Sequence, residues 1–480
     1  MMQKAANMMR YFCLYVIMIL VFLPYGVLGE GEQVKYVDAS NVDDPRRDGT
    51  QAHPFVSLRE AGISSHTFYY MKRSTRYVLA RPVIISGKEN IQISAYGEGE
   101  DPLLYAGELK KGIDVQNSSR ITLSNLTLEG SRDTDFLFRV IGNSSDVLVN
   151  GCSFQNAVWG IRLMGFNQES HIQDVRIQGC DISQMGDDGI FANQVDGLVI
   201  DSCRISQVNQ KWFYAGRQQH ESPGDAIQIG QSRNFTISDC RIDRSDTGNK
   251  FCIIVSHSQS GRITGNRLKG PSPQGEGGAG LYLGDGTDSI EVTYNDIALS
   301  PAGIYNKSRN SLIYRNIIRH NETGLWSGSR EECLVVNNTF YNNRLSIGGD
   351  RLKVTNNIFY NDSLSGRMVQ FRKNCRSDYN CYYHSDFHEV FAPHGSLKMY
   401  QGATRQGEHS LFADPLFART PGYDFRLKKK SPCIDRGRRE WSFQSRNRIC
   451  GEGADMGARE YCPGATLNLN TDKKRPIQQP

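Results

Sequence analysis

The chain has 480 residues, with 47 glycines, 16 prolines and a formal net charge of +5. That length holds one elongated fold or two to three compact domains. The low proline content excludes collagen-like or broadly disordered chain, and the near-neutral charge gives no ground for a nucleic-acid or membrane-surface partner.

Residues 1–29 read as a signal peptide. Lys4 and Arg10 form a basic start, Tyr11 to Leu23 is apolar, and Val27-Leu28-Gly29 gives a small-residue cleavage pattern. The apolar run is shorter than the roughly 20 residues that a membrane-spanning helix needs. Cleavage removes two cations and no acids, so +5 becomes +3. The expected protein is secreted or periplasmic, monomeric, and free of the membrane once the signal is gone. Eleven of the 12 cysteines remain, an odd number, in a compartment where disulfides form.

Residues 30–110 form an N-terminal segment. Beyond it a phrase of a turn, an Asn or Cys and an apolar residue recurs at Asn125, Cys152, Cys180, Cys203, Cys240, Asn266, Asn295, Asn316, Asn338 and Asn357. Nine intervals separate these markers. All fall between 19 and 29 residues except one of 37, which holds an insertion from Asn209 to Pro223. Each interval contains short runs of alternating apolar residues separated by Gly, Asn, Asp and Ser, which read as strands and turns. A period of 20–30 residues built of short strands predicts an all-β, right-handed parallel β-helix, with repeats over 111–362. The recurring Asn and Cys are expected to stack inside the tube, which also makes most of the N-x-S/T sequences ladder positions rather than glycan acceptors. Looser C-terminal coils and a capping segment follow over 363–462. There Cys375, Cys381, Cys433, Cys450 and Cys462 are the disulfide candidates. Residues 463–480 read as a disordered tail.

The site reading centres on Asp181 to Ser256. Aligned on Ile190, Ile227 and Ile253, Asp188 and Asp225 both fall two residues before the aligned isoleucine, and Lys250 falls three before it. Stacked coils lie about 4.8 Å apart. Asp187, Asp188 and Asp225 would then crowd onto one wall, and like charges so placed require a cation, a shared proton or a basic partner. Any one of them also reads as an ordinary turn residue. Lys250 is either a surface partner of Asp225 or Asp246, or a base in a shielded groove. The insertion carries Trp212, Phe213, Tyr214, Arg217 and His220, either covering the tube or forming a groove wall in which Arg217 meets a carboxylate and His220 moves a proton. Tyr282, Tyr305 and Trp326 recur on later coils, as stacking residues or as an extension of the groove. Arg244, Arg262 and His257 carry weaker signals.

With these residues in view, the chain resembles secreted parallel β-helix polysaccharide lyases of the family-nine pectate lyase, chondroitinase B and alginate lyase type. The phrase from Tyr36 to Ala61 resembles their opening, which implies a short helix capping the N-terminal end of the tube. The phrases around LFADPLF and ADMGAREY resemble their terminal segment. The resemblance implies calcium on Asp187, Asp188 and Asp225. It also implies Lys250 as the base in a β-elimination on a uronic-acid-containing polysaccharide. Polygalacturonase-like hydrolysis by the three aspartates is the alternative, and uronate epimerisation or non-catalytic carbohydrate binding stand behind it.

Overall fold

The computed structural model describes residues 31–165, 171–209, 224–244, 250–271, 277–362, 368–385, 390–391, 393–439 and 450–462. Three long parallel sheets wind around a common interior, and each coil gives one strand to each sheet. Sheet 1 runs from strand Gln33–Val37 to Arg376–Asp378. Sheet 2 runs from Val83–Ser86 to Val369–Phe371, and sheet 3 from Arg76–Val78 to Leu411–Phe412.

The period-two alternation is what builds the tube. In sheet 2, Ile161, Ile190, Ile227, Ile253, Leu281, Ile304, Leu325 and Ile347 stand in one register column. All of them are fully buried. Each such side chain contributes roughly 1.5–3 kcal/mol of transfer free energy. The residues that directly follow them point outward and line the face of sheet 2.

A second interior column occupies the residue just before each sheet 3 strand. It reads Leu126, Cys152, Cys180, Cys203, Cys240, Asn266, Asn295, Asn316, Asn338, Asn357 and Asn380. Asn125 is therefore one residue out of register. It occupies the left-handed turn before the column, with φ 55°, and Leu126 is the stacked residue. The cysteines are packed inside as thiols and accept the role of small apolar side chains. From Asn266 onward each asparagine Oδ1 accepts the backbone N–H of the preceding coil, at 2.8–2.9 Å from Cys240 to Asn357. Each Nδ2 donates to the carbonyl of a preceding coil. The ladder satisfies every buried amide it contains, as an interior column must.

At the N-terminal end a single helical turn, Leu58–Ala61, is capped by the Ser57 hydroxyl, which accepts from the Glu60 amide. At the other end, an antiparallel pair, Phe417–Arg419 with Asp424–Leu427, packs its aromatic residues against Tyr341 and Tyr360 of sheet 3. The segment around Asp455 lies along the side of the last coils, with Asn337 Nδ2 donating to the Asp455 carbonyl at 2.6 Å. Cys450 and Cys462 form a disulfide, whereas Cys381 and Cys433 are buried thiols and Cys375 is a half-buried one. Among the described residues no helix is long and apolar enough to cross a membrane. Residues 1–29 and 463–480 lie outside the described residues.

Candidate functional site

Sheet 2 carries the aligned carboxylates. Strands Ile190–Asn193, Ile227–Gly230 and Phe251–Ser256 pair with Ile190 opposite Ile227 and Ile227 opposite Ile253. Asp188 and Asp225 therefore enter their strands at equivalent points on adjacent coils. Phe251 takes that point on the third coil, and Lys250 stands level with Asp187 and Gly224. Coil contact here is close: a Cβ at residue 224 would stand 2.1 Å from the Asp187 carbonyl carbon, so only glycine fits.

The aspartates are turned inward. Asp187, Asp188 and Asp225 are 7, 3 and 4% exposed. Asp188 Oδ1 accepts the backbone N–H of Asp225 at 2.5 Å, and Asp225 Oδ1 accepts the N–H of Phe251 at 2.9 Å. The carboxylates of Asp188 and Asp225 thus bond to the next coil.

A fully buried arginine completes the cluster. Arg244 Nη1 donates to the carbonyls of Gly224 at 3.0 Å and Phe251 at 2.7 Å, and lies 3.6 Å from Asp225 Oδ1. Sequence reasoning gave Arg244 little weight. The one sequence signal is its place just after strand Arg241–Asp243, where the next coil has Gly270. Burial and the charges of Asp187 and Asp225 hold the Asp188 carboxyl well above the usual carboxylate range. Burial also pushes Asp225 up, to about 6, against the opposing pull of Arg244, the Phe251 amide and Lys250. Arg244 is thus the basic partner beside the like charges, and the raised Asp188 carboxyl favours its neutral form.

This arrangement does not fit the expected calcium cage. One oxygen of Asp188 and one of Asp225 hold backbone amides, and a guanidinium already sits against Asp225. Among the described residues no group of three or more His, Cys, Asp or Glu side chains is placed to hold one metal ion. Calcium needs six to eight open oxygen ligands.

On the outer face, one coil before Asp188, Arg162 lies over the Trp159 ring at 4.3 Å and near the Phe191 ring at 5.8 Å. Partial burial and the neighbouring Arg139 draw its proton affinity down, while Asp187 and Asp188 raise it. Its Nε is buried and has no hydrogen-bond partner among the described residues. Along the same outward column follow Phe191, Gln228, Ile254, Tyr282, Tyr305 and Trp326. Tyr282 and Tyr305 stack at 5.5 Å and 18°. Lys250 is half-buried at the mouth of the cluster, and its charge acts on Asp225. Arg262 is tied to Glu291 on sheet 1 at 3.2 Å, and His257 is exposed. Arg217, His220, Trp212, Phe213 and Tyr214 lie outside the described residues.

Comparison with known proteins bears on this architecture. The family described as "right handed beta helix region" matches residues 225–380. The chain is a right-handed parallel β-helix. The family described as "periplasmic copper-binding protein (NosD)" matches residues 85–298. A curated relative, the uncharacterized protein YwoF of Bacillus subtilis, is 28% identical over 163 residues; the match spans 32% of this chain and 33% of YwoF. Among solved structures, pectate lyase Pel9A is 13% identical over 89% of this chain and 96% of its own, with a TM-score of 0.45. A mannuronic-acid-specific polysaccharide family 6 lyase from human gut microbiota is 14% identical over 68% and 82%, with a TM-score of 0.48. The A-module of the Azotobacter vinelandii mannuronan C-5 epimerase AlgE6 is 13% identical over 72% and 89%, with a TM-score of 0.43.

Proposed function

We propose that this exported β-helix binds an acidic polysaccharide along the outer face of sheet 2 and cleaves it by β-elimination at a uronic acid. The observation that carries the reading is the Arg162 guanidinium. Its buried Nε donor has no partner among the described residues, and its planar cation rests between the Trp159 and Phe191 rings. An unmet buried donor costs about 1–3 kcal/mol. Arg162 as a whole is half-buried, and the accessible part of its guanidinium has the planar geometry that matches a substrate carboxylate.

In this reading Arg162 anchors one uronate carboxylate of the polymer. Lys250, three coil steps (about 14 Å) beyond Arg162, removes the C5 proton of a further uronate along the chain, and the bond to the leaving glycosidic oxygen breaks as the double bond forms. Stabilising the charge that develops on the carboxylate is the largest electrostatic contribution. Asp188, Asp225 and Arg244 hold the strand ends that carry Lys250 and Phe251, and touch no substrate. Arg217 and His220 of the insertion are the proposed partners at the leaving group. No step is routed through calcium.

The test is the ultraviolet absorbance of an unsaturated uronide, followed on polygalacturonate, alginate and chondroitin, with and without a chelator. Wild type is expected to give a rise that Lys250→Ala lowers by about 10²–10⁴-fold, the usual contribution of a positioned base. Release of reducing ends without that absorbance would instead establish hydrolysis. No change in either readout on any polymer would overturn the enzyme reading.

A further inference from the structure

A second feature of the same face lies about 29 Å along the tube, six coil steps beyond Arg162. Here the turns that leave sheet 2 on three successive coils converge. Ser329 and Arg330 follow strand Thr323–Ser327, Asp350 and Arg351 follow Leu345–Gly349, and Arg372 and Lys373 follow Val369–Phe371. Together they line a pocket of about 440 Å³. Four cations and one carboxylate give its wall a net charge of +3.

Several arginines of sheets 1 and 3 pair with acids on adjacent coils, as Arg262 does with Glu291 at 3.2 Å, Arg309 with Asp288 at 3.1 Å and Arg319 with Asp296 at 2.8 Å. Among the described residues, Arg330, Arg351, Arg372 and Lys373 have no ion pair. Asp350, the one acid present, is engaged by its own scaffold: its Oδ1 accepts the Lys373 backbone N–H at 2.9 Å. That bond ties two of the three turns together.

The pocket is continuous with the outward column of sheet 2. Trp326 lies flat across Gly348, where a Cβ would stand 2.8 Å from the indole ring, and the Arg372 guanidinium sits 5.8 Å from the ring centre. Tyr282, Tyr305 and Trp326 thus lead from the Arg162 region to the pocket.

We propose that this pocket is a distal subsite for the anionic groups, carboxylate or sulfate ester, of an acidic polysaccharide chain. Four cations on turns about 4.8 Å apart address charges spaced along a polymer, not a single compact anion. The inference rests on the reading of the substrate as an acidic polysaccharide, and it places an affinity site far from the proton-transfer chemistry.

The experiment is affinity electrophoresis of the full chain through gels containing polygalacturonate, dextran sulfate or neutral dextran. The double variant Arg351→Gln/Arg372→Gln is compared with Arg351→Lys/Arg372→Lys, with circular dichroism to confirm folding. Wild type is expected to be retarded by an anionic polymer and not by dextran, with the stronger of the two anionic gels naming the group recognised. The glutamine pair should weaken that retardation by about tenfold, as loss of two charge-assisted contacts implies. The lysine pair should keep most of it. Equal retardation of the glutamine pair and wild type would overturn the pocket while leaving the polymer reading intact. No retardation of wild type by either anionic polymer would overturn both, and retardation by neutral dextran would overturn the anion preference.

Discussion

The carboxylate of Asp188 holds the backbone amide of Asp225, 37 residues later and one coil on, at 2.5 Å. Asp225 repeats the gesture toward Phe251. The asparagine ladder at the other end of sheet 3 does the reverse: there each side chain receives the amide of the preceding coil. The two rows pin neighbouring coils from opposite directions.

If Asp188 serves as an acceptor rather than as a charge, a neutral acceptor will replace it. Asp188→Asn keeps the bond to the Asp225 amide and is expected to unfold at the same denaturant concentration as wild type near pH 4. Asp188→Ala strands a buried N–H and should lose about 1–3 kcal/mol. Equilibrium denaturation of the two variants separates the cases.

The same pair sets a pH dependence. The Asp188 carboxyl titrates well above its ordinary value of 3.8 in the folded chain, and Asp225 titrates at about 6. For an acid raised on folding, the protonated form is the stabilising one. Its contribution is complete below the ordinary value and disappears as pH rises through the folded value. Asp188→Asn should therefore gain stability relative to wild type as pH rises from about 4 upward. Denaturation midpoints measured from pH 4 to 8 check the sign.

Arg244 is the cation of the cluster and has no route to solvent. Arg244→Met should cost about 3–5 kcal/mol, because it leaves Asp225 without its buried counter-charge and two carbonyls without a donor. The variant should also move the Asp225 titration above 6, which an NMR titration of the carboxyl carbon would register.

In the interior column, Asn316 receives the Asn295 amide at 2.9 Å and donates to the Val292 carbonyl at 2.8 Å. Asn316→Ala should cost several kcal/mol, on the order of two unsatisfied buried groups. Cys203→Ala, in the same column, removes only a small packed thiol and should cost about 1 kcal/mol. Thermal or denaturant unfolding of the two compares hydrogen bonding with packing at one structural position.

Arg162 is expected to act on substrate binding. Arg162→Lys keeps the charge and loses the planar fork, so KM should rise modestly, whereas Arg162→Gln should raise KM further, both with kcat little changed. Steady-state rates on the polymer that responds in the uronide assay distinguish the two effects.

The β-helix and the alignment of Asp188 with Asp225 were legible because an apolar residue recurs once per coil and the strand period is two. Counting back from Ile190 and Ile227 is enough to place both carboxylates. Their bonding was not legible. The partner of Asp188 is an amide on the next coil, and no local pattern marks an amide as buried. Arg244 escaped for a related reason: a charged residue after a short strand reads as exposed unless the turn is known to fold inward. Asn125 was placed one residue early because asparagine serves both the left-handed turn and the ladder, two roles that share a side chain and differ in backbone.

The interior column changes from leucine to cysteine to asparagine along the chain. Between Asn266 and Asn380 every rung makes the same bonds as the rung beside it, so a whole coil could be added or deleted there and the wall would close over the seam. The stretch that holds Asp188, Asp225 and Arg244 has no such repeat. The molecule is thus a ruler of adjustable length attached to a fixed mark, and differences in tube length among its relatives should accumulate on the asparagine side.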